Sequence, residues 1–130
     1  MTAPLIAVVN DDPGFLAMMS DVLADEGYRT TTSLTTEDAL SVIRRDRPDL
    51  IILDLHMRTV QGGWDLVQSI RRDPRIARIP IIVCSGDRAF IETKADELSG
   101  HGAEALEKPF HINVLIARVE QLVGRADAST

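Results

Sequence analysis

The stretch Leu50-Ile51-Ile52-Leu53-Asp54-Leu55 places one carboxylate among five aliphatic residues. An uninterrupted apolar run of this length, bounded by Pro48-Asp49 and by Arg58-Thr59, is typical of a strand buried on both faces of a parallel sheet. A carboxylate at the end of such a strand is costly to bury unless it is paired or faces a cleft. Asp54 is therefore either a capping residue at a strand-to-loop turn or a functional group at the carboxyl edge of the sheet, where open α/β folds bind ligands.

The composition of the 130-residue chain, 45% hydrophobic and 26% charged, is that of an ordinary globular protein with one domain and one core. A formal net charge of −6 argues against a nucleic-acid-binding surface and suits a protein that meets basic partners or binds cations. The single cysteine, Cys84, excludes an internal disulfide framework. Because the sequence shows no leader peptide and no apolar run of about 20 residues, it predicts a cytoplasmic protein that does not span a membrane.

Strand patterns and helical patterns alternate along the chain. Strands are predicted at residues 5–9, 28–33, 50–55, 79–84 and 103–106. Helices are predicted from Pro13, after a Thr35 cap, and at residues 64–72, 89–98 and 112–122, with a loop at 56–63. Such alternation gives a parallel sheet with helices on both faces, joined by right-handed crossovers. The predicted fold class is therefore α/β, with a doubly wound sheet of five parallel strands and five helices.

Polar side chains follow several of these strands, and parallel strands bring their carboxyl ends to one edge of a sheet. These residues are Asn10, Asp11 and Asp12 after the first strand, Asp54 and His56 after the third, Ser85 after the fourth and Lys108 after the fifth. Carboxylates are the hard oxygen ligands that magnesium prefers, and a carboxylate can also be a nucleophile that forms an acyl phosphate. Lys108 could pair with one phosphoryl oxygen and Ser85 could donate to another. This edge is therefore the candidate site for phosphoryl chemistry.

Three of these residues also have simpler interpretations. Asp12 is well placed as a helix N-cap, Ser85 as a turn residue and Lys108 as an ordinary surface lysine. Cys84 lies within a predicted buried strand and is expected to be inert core. The three histidines share no metal-binding spacing, so a histidine zinc site is not expected. The meeting of four strand ends favours a functional site over these separate explanations.

The order and spacing of the motifs resemble the receiver domain of two-component response regulators. The similarity extends from Leu5 to Val123 and is carried by residues 8–13 (VVNDDP), 51–57 (IILDLHM), Gly62, 85–86 (SG) and 108–110 (KPF). The resemblance implies a flavodoxin-like fold with strand order 2-1-3-4-5. It implies a receiver domain over residues 1–124, and residues 125–130 are expected to form a frayed tail.

The resemblance also implies a function: Asp54 accepts a phosphoryl group from the phosphohistidine of a histidine kinase in a magnesium-dependent reaction. The implied metal ligands are the side chains of Asp11 and Asp54 and the backbone carbonyl of His56, with Asp12 and Asn10 contributing through water. Ser85 and Lys108 would contact the phosphoryl oxygens. Such a domain is not an ordinary enzyme, because it catalyses only its own phosphorylation and slow dephosphorylation.

The partners that the resemblance implies are a sensor histidine kinase or phosphotransfer protein, and a downstream protein or an output domain. A phosphorylation-dependent homodimer is a further expectation. No output domain is visible in this sequence, so a free-standing receiver and a piece of a longer protein both stay open.

Three positions depart from the family pattern. The family usually has two acids directly after the first strand, where this chain has Asn10 and Asp11, so one negative charge near the metal is missing. Arg58 stands where a proline is common. Ala105, three residues before Lys108, stands where the family often has an aromatic residue that moves inward when the switch hydroxyl turns towards the phosphoryl group. Any output change here must use other groups.

Three other functions are alternatives to that of a receiver. An aspartate-nucleophile phosphatase would need a second aspartate two residues after Asp54, and His56 stands there. A degenerate receiver that only binds partners is favoured by Asn10 and Ala105 and opposed by the retained Asp54, Ser85 and Lys108. A nucleotide-binding protein is disfavoured because the first turn lacks a G-x-G-x-x-G fingerprint.

Overall fold

The computed structural model describes residues 3–55, 60–100 and 102–124, and five parallel strands alternate there with five helices. The strands are β1 (Leu5–Val9), β2 (Arg29–Ser33), β3 (Leu50–Asp54), β4 (Ile81–Ser85) and β5 (Ala103–Glu107). The helices are α1 (Pro13–Asp25), α2 (Thr36–Asp46), α3 (Val60–Arg72), α4 (Arg88–Gly100) and α5 (Ile112–Val123). The strand order is β2-β1-β3-β4-β5, which confirms the predicted fold class and the order implied by the resemblance.

The position of each strand in the sheet explains its sequence. Every residue of β3 and β4 is buried, as expected for central strands with uninterrupted apolar runs. The strand β2 lies at an edge, reads Arg-Thr-Thr-Thr-Ser, and buries only Ser33. The strand predicted at residues 28–33 is therefore confirmed, although it begins at Arg29 and not at Tyr28.

Successive side chains of a strand enter two different cores, as the two-residue period of a strand requires. Ile51 and Leu53 belong to a core that includes residues of α2, α3 and α4. Leu50 and Ile52 belong to a second core, with residues of α1 and α5. The helices thus cover both faces of the sheet, and the carboxyl ends of all five strands meet at one edge between the two layers.

The helix starts that were read from capping residues are confirmed. The Asp12 carboxylate accepts hydrogen bonds from the backbone N–H groups of Gly14 and Phe15, and Pro13 is the first residue of α1. The Thr35 hydroxyl accepts a hydrogen bond from the Asp38 backbone N–H at the start of α2. Each cap satisfies backbone donors that have no partner within the helix.

The third helix begins at Val60, so the prediction that residues 60–63 belong to a loop is wrong. Glycines commonly mark loops, but Gly62 and Gly63 lie within this helix. A Cβ atom at Gly63 would collide with the backbone of Leu55. Gly63 is therefore explained by the close approach of α3 to the end of the central strand, and not by a turn.

Other boundaries differ from prediction by one or two residues. The strand β4 begins at Ile81, because Pro80 has no N–H to donate to a ladder. Helix α4 runs to Gly100, two residues beyond its predicted end, and Gly102 in the turn before β5 has a left-handed backbone with φ 68°. Among the described residues, no helix is long and apolar enough to cross a membrane.

Candidate functional site

The carboxylate of Asp54 lies at the end of β3 and is paired with a lysine from the turn after β5. The Asp54 side chain is 9% exposed, and its Oδ2 atom is 2.9 Å from Lys108 Nζ. The Lys108 backbone N–H donates to the Ser85 carbonyl over 2.8 Å, which fixes that turn against the end of β4. Asp54 is the buried partner, and removing Lys108 would leave its charge uncompensated, so this contact stabilises the carboxylate.

Asn10, the residue after β1, contacts Asp54 directly. Its Nδ2 atom donates to Asp54 Oδ2 over 3.2 Å, and its Oδ1 atom accepts from the Asp12 backbone N–H over 2.9 Å. Its backbone N–H donates to the Ser33 carbonyl over 3.1 Å. The resemblance implies a contact of Asn10 with the metal through water, which stays a prediction, and in the structure the Asn10 amide contacts the Asp54 carboxylate directly.

The other acids of this edge differ in what they contact. Asp11 is exposed beside Asn10, whereas the Asp12 carboxylate caps α1, as its simpler interpretation predicted. Within the described ranges, no group of three or more acidic, histidine or cysteine side chains could hold a metal ion. Magnesium usually takes one or two carboxylates and keeps several waters, so Asp11 and Asp54 still fit as its protein ligands. His56 lies outside the described residues.

Ser85 is the last residue of β4 and is fully buried. It follows Cys84, which pairs in register with Asp54 on the neighbouring strand. The Ser85 hydroxyl accepts a hydrogen bond from the Asp87 backbone N–H over 3.0 Å, and the Asp87 carboxylate accepts from the Phe90 N–H over 2.9 Å. The hydroxyl is therefore linked through one residue to the first turn of α4.

Cys84 is a buried core residue, as predicted. Burial raises the pKa of its thiol to about 12, and the nearby Asp54 adds to this increase while Lys108 opposes it. A thiol with so high a pKa stays neutral at physiological pH and is a poor nucleophile. The sulfur next to the site is thus part of the packing.

An aromatic contact between α3 and α4 was not foreseen from the sequence. The rings of Trp64 and Phe90 lie edge to face, with centroids 6.2 Å apart. Lys94 Nζ lies 5.5 Å from the centroid of the Trp64 ring. The spacing of Phe90, Lys94 and Leu98, four residues apart each time, is the signal that could have indicated one inward face of α4.

An apolar groove of about 520 Å³ lies beside the site and was also not foreseen. It is lined by Phe15, Met18, Lys108, Pro109, Phe110 and Ile112. The groove runs between the first turns of α1 and α5 and includes the lysine that pairs with Asp54. A partner protein seated there would lie next to the carboxylate.

A family model described as the response regulator receiver domain matches residues 6–120. The chain belongs to the response-regulator receiver family. A receiver of this family is a phosphoacceptor signalling domain of two-component systems and not a classical enzyme. The recognition made from residues 8–13, 51–57 and 108–110 is therefore confirmed.

Individual relatives agree with this assignment. The receiver is 31% identical over 124 residues to the DNA-binding dual master transcriptional regulator RpaA of Synechocystis sp., covering 95% of this chain and 51% of that protein. It is 29% identical to the probable transcriptional regulatory protein TcrX of Mycobacterium tuberculosis, covering 96% of this chain and 52% of the relative. The chain thus spans about half the length of the curated relatives it matches.

A solved structure resembles the receiver over nearly its whole length. The chemotaxis response regulator CheY4 of Vibrio cholerae superimposes with a TM-score of 0.81 at 28% identity. The match covers 93% of this chain and 99% of that structure. The same architecture therefore occurs in a response regulator whose chain is little longer than the matched region.

Proposed function

We propose that this receiver accepts a phosphoryl group on Asp54 from the phosphohistidine of a sensor histidine kinase or a phosphotransfer protein. The observation that carries the proposal is the contact of the buried Asp54 carboxylate with the half-buried Lys108 at the carboxyl edge of the sheet, where Oδ2 and Nζ lie 2.9 Å apart. An Asp54 oxygen forms a bond to phosphorus while the phosphorus–nitrogen bond of the phosphohistidine breaks, and the imidazole nitrogen keeps that electron pair. The carboxylate is thus the nucleophile of a transfer between two side chains.

The neighbouring residues have separate roles in this step. Magnesium, when bound, would offset the negative charge that gathers on the phosphoryl group. Asp11 and Asp54 would hold it, with the backbone carbonyl of His56 and water-mediated contacts from Asp12 as the resemblance implies. Lys108 moves from the free carboxylate to a phosphoryl oxygen, and the Ser85 hydroxyl donates to another. The domain catalyses only this transfer and the slow hydrolysis of its own acyl phosphate.

The apolar groove beside Lys108 indicates where the phosphodonor protein binds. Phe15 and Phe110 line it beside Met18, which is 41% exposed, and contiguous apolar side chains at a surface commonly mark an interaction site. A donor helix with an apolar face would bury these side chains and bring its phosphohistidine next to Asp54. We place the kinase or phosphotransfer partner on this face.

The consequence of phosphorylation is a change in α4 and in the Ser85–Asp87 turn before it. The hydroxyl of Ser85 accepts from the Asp87 N–H in the unphosphorylated domain, so turning it towards a phosphoryl group removes that contact. Because several relatives are longer transcriptional regulators, the change would act on an output domain or on a separate downstream protein in the cytoplasm. A phosphorylation-dependent homodimer, formed through the surface of α4, would be another consequence of the same change.

Chemical labelling tests the acceptor directly. Incubation with phosphoramidate and magnesium, followed by intact mass measurement, should add one phosphoryl group to the wild-type domain and none to Asp54→Asn. The matched control is Asp49→Asn, because Asp49 is an exposed aspartate just before the same strand. Equal labelling of Asp54→Asn and wild type would move the acceptor elsewhere and end the proposal.

A further inference from the structure

The amide of Asn10 is held in a single orientation inside the site. The side chain is buried, at 3% exposure, and its oxygen accepts from the Asp12 backbone N–H. An amide oxygen cannot donate, so this contact turns the Nδ2 group towards Asp54. The backbone N–H of Asn10 is bonded to Ser33 as well, so the residue is fixed at both its main chain and its side chain.

The carboxylate of Asp54 receives two donors on the same oxygen. Lys108 Nζ lies 2.9 Å from Oδ2 and Asn10 Nδ2 lies 3.2 Å from it. One donor is charged and the other is neutral, so the negative charge of Asp54 is balanced by groups of this chain. A carboxylate in place of the Asn10 amide would instead bring a second negative charge to hydrogen-bond distance of Oδ2, which is unfavourable unless a cation lies between them.

We propose that Asn10 is a positioning residue for phosphoryl transfer, whose amide holds Asp54 Oδ2 beside Lys108 and keeps the cleft in its reactive arrangement without a bound divalent cation. The proposal rests on the proposed function, because it assigns Asn10 a part in preparing the acceptor of that reaction. It differs from a metal-binding role, because the partner of the amide is the carboxylate itself. Magnesium would then be needed for the transfer but not for the resting structure.

Thermal unfolding in EDTA and in excess magnesium tests the charge argument without any phosphodonor. Asn10→Asp should lower the melting temperature in EDTA by about 5 °C relative to wild type, because it adds an unpaired charge beside Asp54. Excess magnesium should restore most of this loss, since a cation that binds the folded state stabilises it. The wild-type melting temperature should change much less between the two conditions.

The matched control is Asn113→Asp, the same chemical change at the other asparagine of the chain. Asn113 is exposed on α5, so the melting temperature of the Asn113→Asp variant should equal that of wild type both in EDTA and in excess magnesium. An Asn10→Asp domain as stable as wild type in EDTA would overturn the proposal. So would a loss that excess magnesium leaves unchanged, because the cause would then not be a charge that a cation offsets.

Labelling rates of Asn10→Ala test the positioning role separately. With phosphoramidate, the rate at saturating magnesium should fall about tenfold, because the carboxylate is no longer held in place. The magnesium concentration that gives half the maximal rate should stay that of wild type, since Asn10 is not a ligand. An unchanged maximal rate, or a rise in the half-maximal magnesium concentration alone, would overturn the assignment while Asp54 remains the acceptor. If wild type itself takes up no phosphoryl group, the proposed function fails, and the melting experiment still decides whether Asn10 balances Asp54.

Discussion

Helices α3 and α4 have the same length of thirteen residues, and each follows a strand that ends in a residue of the site. They are held very differently. Helix α3 buries Trp64, Leu66, Val67 and Ile70, whereas the only buried residue of α4 is Leu98. Elements with few buried contacts open at low free-energy cost, so the two helices should respond differently to the same event at the site.

The backbone contacts of the two helices reinforce the difference. Gly63 brings the first turn of α3 against Leu55, directly after Asp54, with no room for a side chain between them. Helix α4 is connected to the site through two hydrogen bonds: the Asp87 N–H donates to the Ser85 hydroxyl, and the Phe90 N–H donates to the Asp87 carboxylate. A close-packed contact cannot shift by small steps, whereas a hydrogen bond can exchange its partner. We infer that α3 is the fixed side of the cleft and that α4 is the side that moves.

The ring that the family often carries on β5 is absent, since Ala105 stands there. Phe90, from α4, packs against the same core as Ala105, and its ring lies edge to face with the ring of Trp64. The aromatic contact of this region therefore joins two helices and does not belong to the strand. Its loss or gain would report the position of α4 directly, because Trp64 is the only tryptophan of the chain.

Truncation of one buried residue in each helix should give the largest difference between α3 and α4 in the loss of unfolding free energy. Ile70→Ala should reduce the free energy of unfolding by about 4 kcal/mol, because the cavity lies in a core that cannot collapse. Leu98→Ala should cost about 2 kcal/mol, since α4 can detach while the remaining domain stays folded. Urea unfolding measures the two losses when both variants show the same dependence of unfolding free energy on urea concentration. Equal losses would contradict the difference between α3 and α4.

Alanine at one glycine of each helix should give effects of opposite sign. Gly63→Ala should destabilise the domain by about 2 kcal/mol or more, because the methyl group collides with the Leu55 backbone. Gly100→Ala meets no atom within 4 Å and has a helical backbone, so it should stabilise by about 0.5 kcal/mol or less. The pair is compared by thermal unfolding, and a neutral Gly63→Ala would show that α3 is not fixed by this contact.

A buried carboxylate near the end of α3 predicts a pH dependence that α4 should lack. Hydrogen bonds from Arg75, and then from Arg44, hold the pKa of Asp73 well below its usual range. Because the folded pKa is depressed, its stabilisation is complete above about pH 4 and is lost as the pH falls further. Asp73→Asn should therefore lower the urea midpoint at neutral pH, and the gap from wild type should narrow below about pH 4.

The matched control for this pH dependence is Glu92→Gln in α4. Glu92 is paired with Arg88 on an exposed helix face, and pairs of that kind contribute little to stability. Its urea midpoint should follow wild type at every pH. If the difference in urea midpoint between Asp73→Asn and wild type stays constant down to the lowest pH, Asp73 is not the group whose titration causes the pH dependence.

The sequence predicted those features that depend on neighbouring residues. The apolar runs of β3 and β4 and the caps Asp12 and Thr35 each act within a few residues, so their patterns can be read directly. The start of α3 was missed because the reason for Gly63 is its contact with the backbone of Leu55, which lies eight residues earlier, directly after β3. A glycine read alone indicates a loop, and only the packed structure shows the close approach.

The sequence predicted which residues meet at the candidate site, but it did not predict the individual hydrogen bonds between them. Parallel strands bring their ends together, so the meeting of Asp54 and Lys108 follows from the alternation of elements. The direct bond from Asn10 to Asp54 joins residues 44 positions apart and depends on side-chain orientation, which no local pattern specifies. The contact between Trp64 and Phe90 was missed for the same reason.

Hydrogen exchange with and without phosphorylation tests the central claim, that the signal leaves the site through α4. The wild-type domain would be compared with and without phosphoramidate and magnesium, with Asp54→Asn treated identically as the control. The account predicts that protection changes most between residues 85 and 100, while α3 changes little and Asp54→Asn shows no difference. Changes centred on β5 and α5, or on α3, with α4 unaffected, would contradict it.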